Sequence, residues 1–283
     1  MTDYSRRKFF SYVSAIGATT LLSHTALAVS DKTVHIKEGG SFPFSFGLAS
    51  YSTRKFSLEK TIEYAKKSQM VNLSLKSMHL PLESSAEQIS TALTKIKEAG
   101  CVLNSVGVVY MNTEEEIDKA FAYAKLAGVK TIISVPDPEL LKKAEEKAIA
   151  YDIRVAIHNH GPEDKKFPSP QSIYDKVKTM DKRMGICMDI GHTERLGLNP
   201  ASELKKYFDR MFDIHIKDET ASNAEGKTVE IGRGVIKMNE FLKACVKLKY
   251  ANCLTFEFEK DEEDPFPGLS ESFGFVKGLL STI

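Results

Sequence analysis

The sequence predicts an α/β fold, a single-domain (β/α)8 barrel, on two observations. From about residue 44 onward, the chain repeats one unit eight times: a short apolar run followed by an amphipathic stretch. Strict alternation of this kind is typical of a parallel sheet whose strands are joined by helices. Eight units in about 240 residues match a closed TIM barrel, which typically takes ~250 residues.

The eight apolar runs are rich in Val, Ile, Leu or Phe and are predicted to be buried parallel strands. They cover residues 45–50, 71–77, 101–110, 130–135, 154–160, 185–190, 212–217 and 253–259. The alternative is a doubly wound open sheet, which normally has a glycine-rich phosphate loop after its first strand. Residues 48–51 read Leu-Ala-Ser-Tyr, which is not such a loop, so the barrel is favoured.

Amphipathic stretches of helical period separate the strands. They cover residues 58–68, 86–99, 113–127, 138–151, 170–180, 201–208, 238–248 and 270–280. Gly100 and Gly128 follow two of them and are predicted to end those helices, because glycine adopts the left-handed conformation at little cost. Thr113 and Glu116 have the spacing of a capping box at the start of another.

The first 28 residues have the layout of a cleavable export signal. Arg6, Arg7 and Lys8 precede a moderately apolar stretch, and Ala26-Leu27-Ala28 supplies the small residues of a cleavage site. The paired arginines followed by Phe9 resemble the twin-arginine (Tat) type of signal. We therefore predict a signal peptide over 1–28, an N-terminal extension over 29–43 and a barrel domain over 44–283, located in the periplasm or otherwise exported. An uncleaved anchor is disfavoured, because a membrane span needs ~20 strongly apolar residues and the moderately apolar stretch here falls short of that.

Charge and cysteine content exclude several classes of protein. The chain has 39 Lys and Arg against 38 Asp and Glu, so it offers no overall attraction to nucleic acid or to an anionic membrane. No segment after the signal is apolar enough to predict stable membrane insertion. The four cysteines match no zinc motif, and we expect them to be buried free thiols.

Polar side chains fall at the carboxyl ends of the predicted strands, where barrel enzymes place their active sites. Glu257 lies between Phe256 and Phe258, and Asp189 and His215 alternate with isoleucine and methionine in the same way. The apolar face of each strand should meet the helices, so the polar face should point into the barrel. A charge buried there is costly unless it is paired or bound to a metal.

Histidines share this placement. Of the six in residues 29–283, five lie at or just after the carboxyl end of a predicted strand: His79, His158, His160, His192 and His215. Together with Asp189 and Glu257 they predict a cluster that binds one divalent metal. A set of His, Asp and Glu without thiolates suits zinc, manganese, cobalt or iron.

Five short motifs occur in barrel order: Ala-Ile-His-Asn-His at 156–160, Met-Asp-Ile-Gly-His at 188–192, Asp-Ile-His-Ile-Lys-Asp at 213–218, Gly-Arg-Gly at 232–234 and Phe-Glu-Phe-Glu at 256–259. This set resembles the xylose isomerase-like TIM barrel superfamily, the sugar phosphate isomerase/epimerase group. The resemblance implies one divalent metal held by four side chains from successive strands. Asp189, His215 and Glu257 match three of these ligands. The fourth is usually a glutamate before an asparagine, and here His158 takes its place.

The resemblance also implies a reaction and a set of roles. It points to a sugar isomerase or epimerase that removes a proton alpha to a carbonyl. The missing glutamate and the export signal favour an unphosphorylated keto-sugar as the substrate. Glu257, His158 and His160 are the candidate catalytic residues. His192 and Arg233 match family positions that contact substrate, and the further candidate contacts are Lys76, His79, Arg195 and Lys217. A small-molecule sugar is the expected partner, and homo-oligomerisation is left open.

The departure at His158 keeps other functions open. Epimerases of the family use two metal-bound glutamates, and only Glu257 is present here, so a metal-dependent lyase or hydratase performing β-elimination on a 3-keto-glycoside is an alternative. A second departure is Lys237, where an aspartate often follows the Gly-Arg-Gly segment. A non-catalytic, metal-dependent sugar-binding protein is a further alternative. An apurinic endonuclease is disfavoured, because the balanced charge and export signal do not suit a DNA enzyme.

Overall fold

The computed structural model describes residues 42–283, and within them eight parallel strands close into a barrel. The barrel strands are β1 (Ser45–Ala49), β2 (Asn72–Leu75), β3 (Val102–Met111), β4 (Thr131–Pro136), β5 (Arg154–His158), β6 (Met184–Asp189), β7 (Met211–Ile216) and β10 (Cys253–Phe256). Each pairs with its neighbours along the chain, and β10 pairs with β1 to close the sheet. The predicted (β/α)8 barrel is confirmed. The predicted signal peptide lies outside the described residues.

Helices follow the barrel strands on the outside. They are α1 (Leu58–Lys67), α2 (Ala86–Glu98), α3 (Glu114–Ala127), α4 (Leu141–Tyr151), α5 (Pro170–Val177), α6 (Ile190–Glu194), α7 (Pro200–Lys206), α8 (Met238–Lys247) and α9 (Phe266–Leu280). The helix α9 begins four residues before its predicted start, and α6 was not predicted. A small antiparallel pair, β8 (Asp218–Glu219) with β9 (Thr228–Val229), lies between β7 and α8 and was not predicted either.

The residues that cap the helices have the predicted geometry. The Thr113 side chain accepts from the Glu116 backbone N–H, and the Glu116 carboxylate accepts from the Thr113 N–H. Gly128 ends α3 at φ 70°, and Gly100 follows α2 at φ 77°. Both values lie in the left-handed region, which is why glycine occupies these positions.

An aromatic cluster supports the barrel where its first and last strands meet. Phe46 of β1, Phe256 of β10 and Phe273 of α9 have ring centroids 5.3–6.0 Å apart. Phe46 and Phe256 are almost completely buried. Edge-on and tilted aromatic contacts at this spacing contribute stability beyond that of the area they bury. The cluster therefore stabilises the packing of β1 and β10 against α9.

Cys101, Cys187, Cys245 and Cys253 are all buried, and none forms a disulfide bond within the described part of the chain. The expectation of buried free thiols is therefore confirmed for this structure. Within residues 42–283, no helix combines the length and the apolar character required to cross a bilayer.

Candidate active site

Four of the predicted residues meet at the carboxyl end of the barrel. His158 ends β5, Asp189 ends β6, His215 lies near the end of β7, and Glu257 follows β10. One potential ligand atom from each lies within 4.8 Å of the others, so Asp189 and Glu257 could contact the same ion. All four side chains are buried.

The sheet register explains why these residues meet. Asp189 pairs with His215 across β6 and β7, and His158 pairs with Cys187 across β5 and β6. The inward-facing positions of neighbouring strands therefore fall in one layer. The His158 Nε2 and His215 Nδ1 atoms are 3.1 Å apart, and His215 Nδ1 lies 3.1 Å from Glu257 Oε2.

Local hydrogen bonds fix the orientation of Asp189. Its Oδ1 atom accepts from the His192 backbone N–H at 2.8 Å, which makes Asp189 the N-cap of α6. The Asn159 side chain accepts from the Asp189 N–H at 3.0 Å, and the Thr193 hydroxyl donates to the Asp189 carbonyl. The short helix α6 therefore leaves the second oxygen, Oδ2, facing the cluster, 3.6 Å from His158 Nε2.

Lys217 lies inside the cluster, although we predicted it as a substrate contact. Its ammonium lies 3.0 Å from an oxygen of Asp189, 3.0 Å from Glu257 Oε2 and 2.6 Å from Glu259 Oε1. The side chain is almost completely buried. Three carboxylates thus surround one ammonium, which leaves an excess of negative charge that a cation would compensate.

Burial and neighbouring charge set the protonation of the histidines. Burial lowers the pKa of His158 well below its ordinary value, and His160 and His215 add to this effect. Burial also lowers the pKa of His160 and of His192. Burial opposes protonation of His215 too, but Glu257 outweighs it and raises the pKa of that imidazole. The three lowered histidines are therefore neutral near pH 7, the state in which imidazole binds metals or accepts protons.

Both carboxylates of the cluster are held ionised. Burial acts to raise the pKa of Asp189 and of Glu257, but the Lys217 ammonium opposes it. The pKa of Glu257 lies well below its ordinary value, with His215 contributing to the decrease. Both groups are therefore available as anionic ligands.

The cluster fits a divalent metal. Asp189 Oδ2 is buried and lies 3.0 Å from the Lys217 ammonium, but no residue that the structure describes donates a well-directed hydrogen bond to it. Two donors bound to one ion at ~2.1 Å lie about 3.0–3.4 Å apart at octahedral or tetrahedral angles. The 3.1 Å separations around His215 Nδ1 agree with such an arrangement. Cys187 is also in reach of the two histidines, and burial raises the pKa of its thiol well above the ordinary value, so the thiol is protonated in the absence of a metal.

A cavity of about 190 Å³ lies over the cluster. Its walls include Tyr51, Lys76, Val108, Tyr110, His158, His160, His192, Glu257 and Glu259. The Lys76 ammonium lies 4.0 Å from the centre of the Tyr51 ring, and this cation–π contact stabilises its positive charge. The cavity therefore contains the proposed metal ligands His158 and Glu257, together with three candidate substrate contacts or bases.

A neighbouring carboxylate orients the His160 imidazole. Its Nδ1 atom lies 3.3 Å from the Asp164 carboxylate, and its ring lies 6.1 Å from the ring of Tyr110 in a stacked arrangement. A carboxylate next to Nδ1 favours the tautomer with the proton on that nitrogen and leaves Nε2 free to accept one.

The remaining predicted contacts are more scattered. Arg195 lies beside His192, with its Nη1 atom 3.4 Å from His192 Nδ1. His79 lines a different cavity, and its Nε2 atom is 3.0 Å from the Thr61 hydroxyl. Arg233 is exposed and pairs with Glu271 on α9. Neither His79 nor Arg233 contributes to the walls of the 190 Å³ cavity.

The backbone of the Gly-Arg-Gly segment holds the carboxylate of Asp218. The backbone N–H groups of Gly232, Gly234 and Ile236 donate to the carboxylate of Asp218 at 2.9–3.2 Å. A Cβ atom on Gly234 would lie 2.2 Å from Asp218 Oδ1. The glycines therefore allow this loop to approach and hold β8.

Sequence reasoning missed Asn159, Glu219 and Glu259 as contributors to this region. Asn159 lies within the Ala-Ile-His-Asn-His motif, and Glu259 within Phe-Glu-Phe-Glu, so the motifs themselves carried a signal. Glu219 offered none, because it belongs to a strand of only two residues. Burial raises the pKa of Glu219 to about 7.

The comparisons with known proteins agree with this geometry. The sequence family described as Xylose isomerase-like TIM barrel matches residues 138–279, half of the chain, and this part contains all four residues of the cluster. The chain belongs to the xylose isomerase-like TIM barrel family. No curated protein matches it significantly.

Solved structures of similar fold cover most of this xylose isomerase-like barrel. A putative uncharacterized protein from Parabacteroides distasonis is 23% identical over 83% of this chain and 99% of its own, with a TM-score of 0.66. A D-tagatose 3-epimerase-like protein is 18% identical over 84% and 97%, with a TM-score of 0.70. The 3-keto-D-glucoside 4-epimerase of E. coli, in its apo form, is 15% identical over 84% and 100%, with a TM-score of 0.69. At these identities the likeness establishes the fold alone.

Proposed function

We propose that this protein is a divalent-metal-dependent isomerase or epimerase of an unphosphorylated keto-sugar. The observation that carries the proposal is the buried His158, Asp189, His215 and Glu257 cluster beneath a small polar cavity that also contains His160. The names of two structural neighbours, a D-tagatose 3-epimerase-like protein and a 3-keto-D-glucoside 4-epimerase, support the substrate class.

The side chains around the cavity have three proposed roles: metal binding, proton transfer and contact with substrate oxygens. His158, Asp189, His215 and Glu257 would hold the ion, which would polarise the substrate carbonyl and stabilise an enediolate. Glu257 and His160 handle the proton: one removes it from the carbon alpha to the carbonyl, and one returns a proton. Return at the neighbouring carbon isomerises the sugar, whereas return to the opposite face epimerises it. Lys76 and His192 contact substrate oxygens from the walls.

A second candidate is a lyase, because one carboxylate of the usual pair is replaced by His158. The first step is the same removal of the alpha proton. The electron pair of that C–H bond then forms a carbon–carbon double bond while the bond to a β-oxygen substituent breaks. The histidine that accepted the alpha proton, now protonated, gives that proton to the departing oxygen. His160 and His192 are neutral imidazoles on the cavity wall, so either can accept the alpha proton in the first step.

Proton exchange in deuterated water tests the proposed chemistry. The purified protein is loaded in turn with zinc, manganese, cobalt or iron and incubated with a panel of ketoses, and NMR follows the alpha-proton signals. Exchange with retention of all carbon–oxygen bonds supports the isomerase or epimerase. Release of a substituent supports the lyase, whereas bound metal with neither result supports a non-catalytic sugar-binding protein.

We also propose that the protein is exported through a twin-arginine signal and cleaved after Ala28. Replacing Arg6 and Arg7 with Lys keeps the charge but removes the guanidinium pair, and should leave full-length precursor in the cytoplasm. Fractionation and immunoblotting measure this, with Lys8→Arg as a control that retains the pair. Export of the double variant at the normal level would refute the twin-arginine assignment.

A further inference from the structure

A second cavity, of about 560 Å³, adjoins the one over the cluster and shares His192 and Glu259 with it. Its other walls come from α6, from the β8–β9 pair with its connecting loop, and from Lys260. The 190 Å³ cavity is smaller than the ~300–1,000 Å³ of ordinary small-molecule sites, whereas the second cavity is within that range. A ligand bound over the cluster therefore lies next to the second cavity, with His192 and Glu259 bordering both.

We infer that the second cavity is a subsite for a second sugar residue, so that the substrate is a keto-sugar joined to another sugar by a glycosidic bond. This inference rests on the proposed function, since that function places the keto-sugar over the cluster. It adds the substrate class, which is a glycoside or disaccharide rather than a free monosaccharide.

Two buried polar atoms of the second cavity's lining residues support a hydroxylated ligand. Arg195 Nε and Glu219 Oε2 are both buried, and neither has a hydrogen-bond partner anywhere in residues 42–283. Arg195 Nε is a hydrogen-bond donor, and Glu219 Oε2 is an oxygen of a carboxyl group. A sugar hydroxyl can accept one hydrogen bond and donate another. The hydroxyl groups of a sugar therefore have the chemistry to pair with both side chains.

The charges on the walls favour a neutral sugar over a phosphate group. Arg195 already pairs with Glu163, and Lys260 pairs with Glu230 at 2.7 Å. Glu219 and Glu259 add two carboxyl groups to the same walls. Of the three cationic side chains on these walls, Arg195, Lys227 and Lys260, two are thus paired, and a phosphate would meet carboxylates as well as cations.

The wall is built before any ligand binds. The guanidinium of Arg195 donates to the Ala224 carbonyl at 2.6 Å, which joins α6 to the loop between β8 and β9. The Thr228 hydroxyl of β9 lies 3.3 Å from Glu219 Oε1 on β8. A subsite held by such contacts orders few side chains on binding, which favours affinity.

Binding of matched sugars tests the subsite. The probes are D-fructose and four of its α-D-glucosyl derivatives, turanose, maltulose, leucrose and isomaltulose, which differ in the linkage position. Dissociation constants are measured by NMR titration of the metal-loaded protein. At least one disaccharide should bind at least tenfold more tightly than D-fructose. Equal or weaker binding of all four would overturn the inference.

Variants locate the binding. Glu219→Gln should reduce the preference for the disaccharide at least fivefold, because the amide changes the hydrogen-bonding pattern of the wall. Glu87→Gln, on a cavity lined by α2, is the matched control and should keep the wild-type ratio. Thr228→Val is the second test if Glu219→Gln fails to fold by circular dichroism. An unchanged ratio in the folded variants would place the second sugar elsewhere and refute this subsite.

The binding ratio is independent of turnover, so the two proposals can fail separately. Tight disaccharide binding without proton exchange would support the subsite and refute the isomerase. Exchange of D-fructose protons without any advantage for a disaccharide would support the isomerase and refute the subsite.

Discussion

At the scale of single residues, Glu257 is proposed both as a metal ligand and as a base. Its Oε2 atom lies 3.0 Å from Lys217 Nζ and 3.1 Å from His215 Nδ1. Its low pKa makes it a good anionic ligand, but a low pKa also makes a carboxylate a weak base. A base role for Glu257 would therefore depend on close contact with the substrate, and the neutral His160 imidazole on the neighbouring wall is the second candidate base.

Replacing Glu257 with Gln should leave the barrel folded, reduce metal retention and abolish exchange of the alpha proton. The amide keeps the shape and one oxygen donor but lacks the charge and the basicity. Metal content after dialysis and NMR exchange rates measure the two effects. His160→Gln is the companion variant, because it should reduce exchange while metal content stays near normal. If Glu257→Gln turned over at nearly the wild-type rate and His160→Gln did not, the base would be His160.

Glu219 should make stability depend on pH. Its pKa is about 7 in the folded protein against 4.5 for an ordinary glutamate, because burial disfavours the anion. Between these values the folded state binds more protons than the unfolded state, so the contribution of Glu219 to stability falls as pH rises from 4.5 through 7. Glu219→Gln lacks this titration. The difference in free energy of unfolding, variant minus wild type, should therefore be more favourable at pH 8 than at pH 5.

The size of that difference should be about 1–2 kcal/mol, less than the full shift implies, because water in the adjoining cavity screens the charge. Urea denaturation at the two pH values measures it. Glu87→Gln, a substitution of the same kind at an exposed position, is again the control. An equal difference for Glu219→Gln at pH 5 and pH 8 would show that Glu219 titrates normally.

At the scale of elements, strands and helices with several residues of clear period could be predicted, and short ones could not. β5 and β6 were predicted from runs of Val, Ile and Met, and α3 from its period and its caps. By contrast, α6 has five residues and begins directly at Asp189. The β8–β9 pair has two residues in each strand. Neither is long enough to show a hydrophobic period, yet both line the second cavity.

The Gly-Arg-Gly loop offers a test of an element held by backbone contacts. Gly234→Ala would place a Cβ atom 2.2 Å from Asp218 Oδ1 and 2.4 Å from the Glu219 carbonyl oxygen, so the loop or β8 must shift. We expect a loss of about 1–3 kcal/mol in the free energy of unfolding. Gly274→Ala is the control, because the space around it within α9 is open. It should stabilise by about 0.5–1 kcal/mol. If Gly234→Ala and Gly274→Ala changed the free energy of unfolding equally in urea denaturation, the close contact of Gly234 with Asp218 would be contradicted.

At the scale of the whole molecule, the barrel explains which parts of the site could be predicted. Strand ends converge in any such barrel, so His158, Asp189, His215 and Glu257 could be placed together from the sequence. Contacts made by long side chains and loops could not. Lys217 lies buried among carboxylates, and Arg233 pairs on the outer surface. Alternation gives the face of a strand, but it does not say how far a long side chain extends or with which charge it pairs.

Metal binding should stabilise the whole barrel, because the four ligands come from successive strands and are brought together only by folding. A ligand that binds the folded state alone adds about 2.7 kcal/mol at a free concentration one hundred times its dissociation constant. For a barrel of this size that corresponds to an increase in Tm of about 5–10 °C. Thermal denaturation of metal-stripped protein, with and without zinc, manganese or cobalt, measures it. Asp189→Asn with His215→Gln removes two ligands and should abolish the increase, while Glu87→Gln should keep it. An equal increase in the double variant would place the bound metal outside this cluster.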